Sequence, residues 1–424
     1  MITRQHYIDS LIAYRDKPII KITAGMRRSG KSTIMAYFHN YLVQDGVPQK
    51  NIISISFETM EFDEAVGEQD LYELIKSKQP VQGKCYLLLD EVQMVKNWEK
   101  AISRLYEEDS FDIYLTVSNS FLKDSDCAIS LAGRYVMINV LPLSFQEYLH
   151  FILCRRQEDD RQYNSLRRMS RKFMNQGENL ELDLKRYVRY GGLPAMPFIP
   201  PQSRVAEEFL EGVYNSVIVK DVLINENIRD LNILQKIVRY LAQNTGKIIS
   251  PAIVSSYLDI YNPNGNHKED IAADYLLMLE KAYIFYKLCC FDIAKGTILP
   301  NLNKYYVVDT GIRNMILSFS DTGRGHNLET IVYFELLRRG YQVFCGQYDG
   351  TEIDFYAARQ EERKCFQVIA NLDDAEAGKQ KITALANLPV SCEKVVITKD
   401  KGYRTTDKGI IFLNYADFLL NSDS

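Results

Sequence analysis

The chain has 424 residues, 46% of them hydrophobic, and a formal net charge of -4. Its length exceeds what one ordinary core organises and predicts roughly two to four domains, while the apolar share excludes a disordered chain. The acidic balance excludes a protein coated in nucleic acid, so any such partner has to use a local basic patch.

In chain order, Ile19, Ile20 and Ile22 form a short apolar run of strand type. The segment Gly25, Met26, Arg27, Arg28, Ser29, Gly30, Lys31, Ser32, Thr33 then fits the phosphate-loop spacing G-x-x-x-x-G-K-[ST]. Behind it Ile34, Met35, Tyr37, Phe38 and Leu42 recur at helical spacing. Strand, glycine-cornered loop and helix in this order predict backbone amides converging on an anion. Lys31 is expected on the β- and γ-phosphates and the Ser32 hydroxyl on a magnesium ion.

The stretch 51–57 reads as a second strand and Cys85 to Leu89 as a third, closing on Asp90 and Glu91. An apolar strand ending in two acids is the second half of such a site: Asp90 is expected to hold magnesium and Glu91 to deprotonate water. A fourth strand, Ile113 to Val117, runs into Ser118 and Asn119, where either residue is a candidate sensor of the terminal phosphate or a helix cap. Arg134 precedes a fifth strand, Tyr135 to Val140, and either reaches a γ-phosphate, in its own chain or a neighbour's, or forms a surface salt bridge.

Together the segments Gly25 to Thr33, Leu89 to Gln93, Thr116 to Asn119, Ala132 to Tyr135 and Pro142 to Phe145 resemble prokaryotic AAA-type ATPases, close to the STAND and archaeal ATPase groups. Tyr190 to Pro194, Lys304 to Gly311 and Glu352 to Phe355 are similar to motifs of the same family, so the likeness spans nearly the whole chain. It departs at Val117, where relatives usually have glycine. The resemblance implies ATP as the nucleotide. No N-K-x-D guanine motif is present.

Between 150 and 189, basic residues (Arg155, Arg156, Arg161, Arg167, Arg168, Arg171, Lys172, Lys185, Arg186, Arg189) alternate with Tyr163, Phe173 and Tyr187. That is either a phosphate-backbone surface or, given Glu158, Asp159, Asp160, Glu178 and Glu181, a solvated helical lid. Helices at 231–244, 250–258 and 271–281 and strands at 283–291 and 297–308 predict a winged helix. Its third helix carries Asp274 and Glu280, which argues against base readout.

The amphipathic helix from Leu328 to Gly340 and the strands at 341–344, 352–356, 365–369, 394–398 and 409–413 resemble the PD-(D/E)XK nuclease fold, with Glu329, Asp354 and Gln367 at the ligand positions. Gln367 stands for a carboxylate and Ile369 for the water-activating lysine, so cleavage is expected to be lost.

The expected architecture is α/β: a P-loop ATPase core with a parallel sheet (1–150), a helical lid (151–230), a winged helix (231–310) and a restriction-endonuclease-like domain (311–424). Eight cysteines without a C-x-x-C pair, no leader sequence and no apolar run near ~18 residues predict a cytoplasmic chain without a membrane span. The functional expectation is a slow Mg2+-ATP hydrolysing switch coupled to rearrangement of the C-terminal domains. The alternatives are an ATP-regulated DNA-binding or nuclease module gripping nucleic acid through the basic lid, and a signalling switch with a protein partner.

Overall fold

Strands with unbroken apolar runs are covered on both faces, as in parallel sheets. The first unit, residues 1–141, 216–225 and 281–283, is built on five of them. The computed structural model describes residues 3–58, 67–80, 82–119, 130–157, 177–200, 204–223, 230–261, 268–320, 324–370, 377–388, 392–400, 404–406 and 408–421. β1 (Ile20–Ala24), β2 (Ile52–Ser56), β3 (Cys85–Asp90), β4 (Phe111–Val117) and β5 (Tyr135–Asn139) lie in the order β2-β3-β4-β1-β5, every neighbouring pair parallel.

All five strands therefore end at the same edge, and β1 sits where the order reverses, the place at which open α/β sheets hold ligands. Helices α1 (Gln5–Ala13) and α2 (Lys31–Gln44) send Leu11, Phe38 and Leu42 into one core with Leu88 and Tyr114 of the sheet. Leu71 and Ile75 of α3 (Glu68–Lys78) and Trp98, Ile102 and Leu105 of α4 (Trp98–Glu107) are buried as well.

One polar group interrupts this apolar centre. Lys21 on β1 and Asp112 on β4 form a fully buried ion pair, in which Asp112 also accepts from the Tyr114 hydroxyl (2.9 Å) and the Asp16 amide (2.9 Å). Burial pulls the Lys21 ammonium below its ordinary value against the support of Asp112.

The second unit comprises residues 142–215, 226–280 and 284–424. Among its helices are α5 (Phe145–Gln157), α6 (Gly177–Tyr190), α7 (Leu231–Gln243), α8 (Pro251–Tyr261), α9 (Glu269–Lys281), α10 (Thr310–Ile316), α11 (Arg324–Arg338) and α12 (Ala377–Asn387). Its strands are β6 (Ile248–Ile249), β7 (Phe285–Asp292), β8 (Thr297–Val307), β9 (Gln342–Tyr348), β10 (Thr351–Arg359), β11 (Glu362–Ile369), β12 (Glu393–Thr398), β13 (Arg404–Thr405) and β14 (Ile410–Asn414).

They make one mixed sheet, β13-β14-β12-β11-β10-β9-β7-β8-β6. Helices α7, α8 and α9 and the β7–β8 hairpin stand where the sequence puts a winged helix. The sheet nevertheless runs across the expected boundary at 310, because β7 offers its free edge to β9 in parallel register, Cys290 opposite Cys345.

Two family-like motifs meet in this unit. Asp309 caps α10 by accepting from the amides of Gly311 (2.9 Å) and Ile312 (3.2 Å), and it also accepts from the Gly192 amide (2.7 Å). A side chain at Gly311 would place its Cβ 2.1 Å from the Tyr190 carbonyl oxygen, so that joint requires glycine. The basic run Arg161, Arg167, Arg168, Arg171 and Lys172, with Tyr163, Phe173, Glu158, Asp159 and Asp160, lies outside the described residues.

Removing one partner of a buried ion pair leaves an uncompensated charge. Asp112→Ala should lower stability by about 3–5 kcal/mol, read as a drop in the denaturant midpoint of the first unit. Pairing it with Lys21→Met should recover most of that loss.

Candidate functional site

The loop after β1 is shaped by two glycines. Gly25 has φ 153°, and a Cβ there would lie 2.2 Å from the Val140 carbonyl oxygen, while Gly30 at φ 103° turns the chain into α2. Arg4 supports the loop from below, donating to the carbonyls of Ser29 (3.1 Å) and Leu141 (2.8 Å). Met26, Arg27 and Ser29 are buried, whereas Arg28, Ser32 and Thr33 are exposed. No side chain caps α2, so its first amides keep their donors for a ligand.

Lys31 brings loop and acids together. Its Nζ donates to the carbonyls of Gly25 (3.0 Å) and Met26 (3.2 Å) and lies 3.3 Å from Glu91 Oε1. Thr116 on β4 fixes both acids: its hydroxyl donates to Asp90 Oδ1 (2.6 Å) and accepts from the Glu91 amide (2.8 Å). Ser56 on β2 donates to the other Asp90 oxygen at 3.2 Å. Glu91 takes φ 56°, a left-handed conformation that costs of order 1–3 kcal/mol in a residue with a side chain. Burial works to raise its carboxyl, but Lys31 and Arg27 hold it below its ordinary value, aided by Ser118 and Gln93.

Two residues absent from the sequence expectation complete the network. Gln93 donates through Nε2 to Glu91 Oε2 (2.5 Å) and to Ser118 Oγ (2.9 Å). Asp221, on the π-helix Ile218–Leu223, accepts from Arg27 Nε at 3.0 and 2.8 Å and from Ser118 Oγ at 3.1 Å. Burial pushes the Asp221 carboxyl up to about 6 despite Arg27.

Of the two sensor candidates, Ser118 joins these groups. The Asn119 carbonyl Oδ1 is buried with no hydrogen-bond partner among the described residues, as are Ser29 Oγ and Gln93 Oε1. Alternation along β4 carries the signal, since Ser118 shares the parity of Thr116 and Asn119 does not. Arg134 is engaged by Ser103 Oγ (2.8 Å) and Glu107 (3.0 Å) on α4, which is the salt-bridge alternative rather than a contact with the loop.

A triphosphate with its magnesium fits this donor set. The uncapped helix start, the exposed Ser32 hydroxyl and the unpartnered Ser29 Oγ face an anion with donors. Among the described residues, the side-chain donors to the Asp90 carboxylate are the neutral hydroxyls of Ser56 and Thr116, an oxygen environment that suits a hard divalent cation.

The second unit gathers the expected nuclease-like residues but spends them on one another. Asp354 Oδ2 accepts from Lys381 Nζ (2.6 Å) and the Val368 amide (2.7 Å). Glu329 accepts from the Tyr306 hydroxyl (2.6 Å) and lies 3.5 Å from Lys304, which pairs with Glu352 at 2.7 Å. Gln367 donates to the Glu352 carbonyl (3.0 Å) and accepts from the Asp354 amide (3.4 Å). Burial first, and then Asp354, raise the Glu329 carboxyl despite Lys304. Among the described residues no group of three His, Cys, Asp or Glu side chains could hold a metal. The ammonium beside Asp354 comes from Lys381 on α12, too far along the chain for motif spacing to reveal.

Residues 17–149 match the family described as an AAA domain, and residues 181–323 match a domain of unknown function, DUF8612. An uncharacterized protein of Haemophilus influenzae is 32% identical over 422 residues, covering 99% of each chain. One of Methanocaldococcus jannaschii is 28% identical over 368 residues, covering 85% of this chain and 77% of its own length. Among solved structures, a Walker-type ATPase of Pyrococcus abyssi aligns with 75% of this chain and 96% of its own, at 14% identity and a TM-score of 0.48.

The backbone at Gly25 leaves no room for a methyl group. Gly25→Ala should cost more than ~1 kcal/mol of stability, measured as a lower unfolding midpoint of the first unit, because both its φ and the Val140 carbonyl oppose a Cβ.

Proposed function

Because the chain belongs to the same family as the Haemophilus influenzae protein and carries an AAA domain, we propose that its first unit binds ATP with magnesium and hydrolyses it slowly, as a switch for its C-terminal residues. The observation that carries this reading is the 3.3 Å approach of Lys31 Nζ to Glu91 Oε1, which joins the phosphate loop to the acids closing β3.

In this reading the amides from Gly25 to Thr33 bind the phosphates, and Lys31 trades its two loop carbonyls and Glu91 for phosphate oxygens. Ser32 and Asp90 hold the magnesium ion, which when bound supplies positive charge to the β- and γ-phosphate oxygens. Glu91, released by Lys31, accepts the proton of the attacking water at the carboxylate that Gln93 orients. Ser118 lies beside that carboxylate through Gln93, and Asn119 offers its unpartnered oxygen as a second sensor. Arg134, tied to α4, is left out of the step.

We further propose that the second unit does not cut nucleic acid, since Lys304 and Lys381 already neutralise the carboxylates that a metal would need. Neither alternative role has an observation of comparable weight behind it. Three residues of the basic run are engaged locally: Lys185 by Glu181, Arg186 by Asp183, and Arg189 by the rings of Tyr190 and Phe319.

Lys31→Ala should abolish binding of a fluorescent ATP analogue with the circular-dichroism spectrum unchanged; binding as tight as wild type would mean that the site is misassigned. Glu91→Gln should keep the analogue bound and lose turnover by roughly 10²–10⁴-fold, read by phosphate release. Plasmid DNA and single-stranded RNA incubated with the protein and magnesium or manganese should stay intact, and cleavage that disappears in Asp354→Ala would overturn the inactive reading.

A further inference from the structure

Four charged side chains are buried together at Glu91. Two cations, Lys31 and Arg27, and two carboxylates, Glu91 and Asp221, are each at most 6% exposed. Lys31 stands 3.3 Å from Glu91, and Arg27 Nη1 stands 4.0 Å from its other oxygen. Once phosphates draw Lys31 away, Arg27 is the cation left beside the base. A guanidinium seated on that carboxylate would occupy the lone pairs that must take a proton from water.

Asp221 holds Arg27 elsewhere. Both of its oxygens accept from Arg27 Nε, at 3.0 and 2.8 Å, more closely than Glu91 approaches the same side chain. Glu58 takes Nη1 at 3.4 Å, but its side chain is 44% exposed, so water competes for it. A second route runs from Asp221 through the Ser118 hydroxyl (3.1 Å) to Gln93 (2.9 Å) and so to Glu91 Oε2 (2.5 Å). Asp221 thus reaches the base twice, once by withholding a cation and once through hydrogen bonds.

We propose that Asp221 is a positioning residue for ATP hydrolysis: it keeps Arg27 off Glu91 and, through Ser118 and Gln93, sets the orientation of the carboxylate that accepts the water proton. Nothing in the phosphate-loop motif or the acids of β3 points to it, since it lies 194 residues beyond Arg27. Its place on a π-helical turn is compatible with that role, because such turns are frequent at functional sites. The inference rests on reading Glu91 as the base of a hydrolytic site.

The test uses the full chain and measures kcat by phosphate release and the affinity of a non-hydrolysable ATP analogue. Asp221→Asn, isosteric but uncharged, should lower kcat at least tenfold while the analogue's Kd moves less than threefold. Asp221→Glu, which keeps the charge, should recover part of that loss. Adding Arg27→Gln to Asp221→Asn should raise kcat above that of Asp221→Asn alone, because no guanidinium is left to settle on Glu91.

The proposal is overturned by a kcat for Asp221→Asn within twofold of wild type, by affinity falling in step with kcat, or by a double variant as slow as or slower than Asp221→Asn. Wild-type protein that neither binds the analogue nor releases phosphate would sink the hydrolytic reading itself. That outcome is separate from normal wild-type turnover left untouched by Asp221→Asn.

Discussion

Lys31 and Glu91 face each other over 3.3 Å, and the first unit is arranged around that approach. Lys31 opens α2 behind β1 and Glu91 follows β3, and these two strands are not neighbours, since β4 lies between. Taking either ion out of water costs several kcal/mol, so each needs partners beyond the other. Lys31 donates to the carbonyls of Gly25 and Met26 and stands in ion-pair range of Glu91, while Gln93 serves the far oxygen of Glu91. Under the proposed function a bound phosphate would replace these existing contacts rather than fill an empty site. Its binding and the release of Glu91 would then be a single exchange.

The same reasoning separates the two polar clusters of the chain. Among the described residues, the side-chain donors to Asp90 are the hydroxyls of Ser56 and Thr116, which orient it without cancelling its charge. Asp354 and Glu352 face ammonium groups within 2.6 to 2.7 Å, and Glu329 has Lys304 at 3.5 Å and a raised carboxyl. A divalent cation would have to displace a lysine there. What neutralises each carboxylate separates the two clusters, and the sequence around Asp90, Glu352 and Asp354 on strands and Glu329 on α11 does not carry that distinction.

Much of the fold was legible in the sequence. The five strands of the first unit stand within two residues of their apolar runs, and the order strand, Gly25 loop, α2 appears as the glycine spacing requires. Helices α7, α8, α9 and α11 and the longer strands of the second unit were legible for the same reason, that period and turn residues are local signals, whereas α10, α12, β6 and β13 were not expected. What was not legible depends on pairing. The alternation of β7 is the same whether its free edge meets solvent or β9, so a boundary near 310 was a natural reading of one continuous sheet. The ammonium beside Asp354 comes from Lys381 on a helix and not from the strand position two residues past Gln367, a packing that strand spacing does not encode.

Asp221 is the extreme of that kind. It belongs to no motif, and its surroundings in sequence, Val219 and Val222, suggest only a partly buried helical turn. Its proposed role is defined by Ser118 and above all by Arg27, whose own position in the loop looked interchangeable with that of Arg28. The structure separates these two arginines: Arg28 is exposed at φ 65°, while Arg27 turns inward to two buried carboxylates. Two buried carboxylates lie within reach of the Arg27 guanidinium, Asp221 at 2.8 Å and the proposed base Glu91 at 4.0 Å, so the cation is shared unevenly between them. Residues 216–223 thus bring a second acid back to the loop from far along the chain, and it is the one that Arg27 sits on.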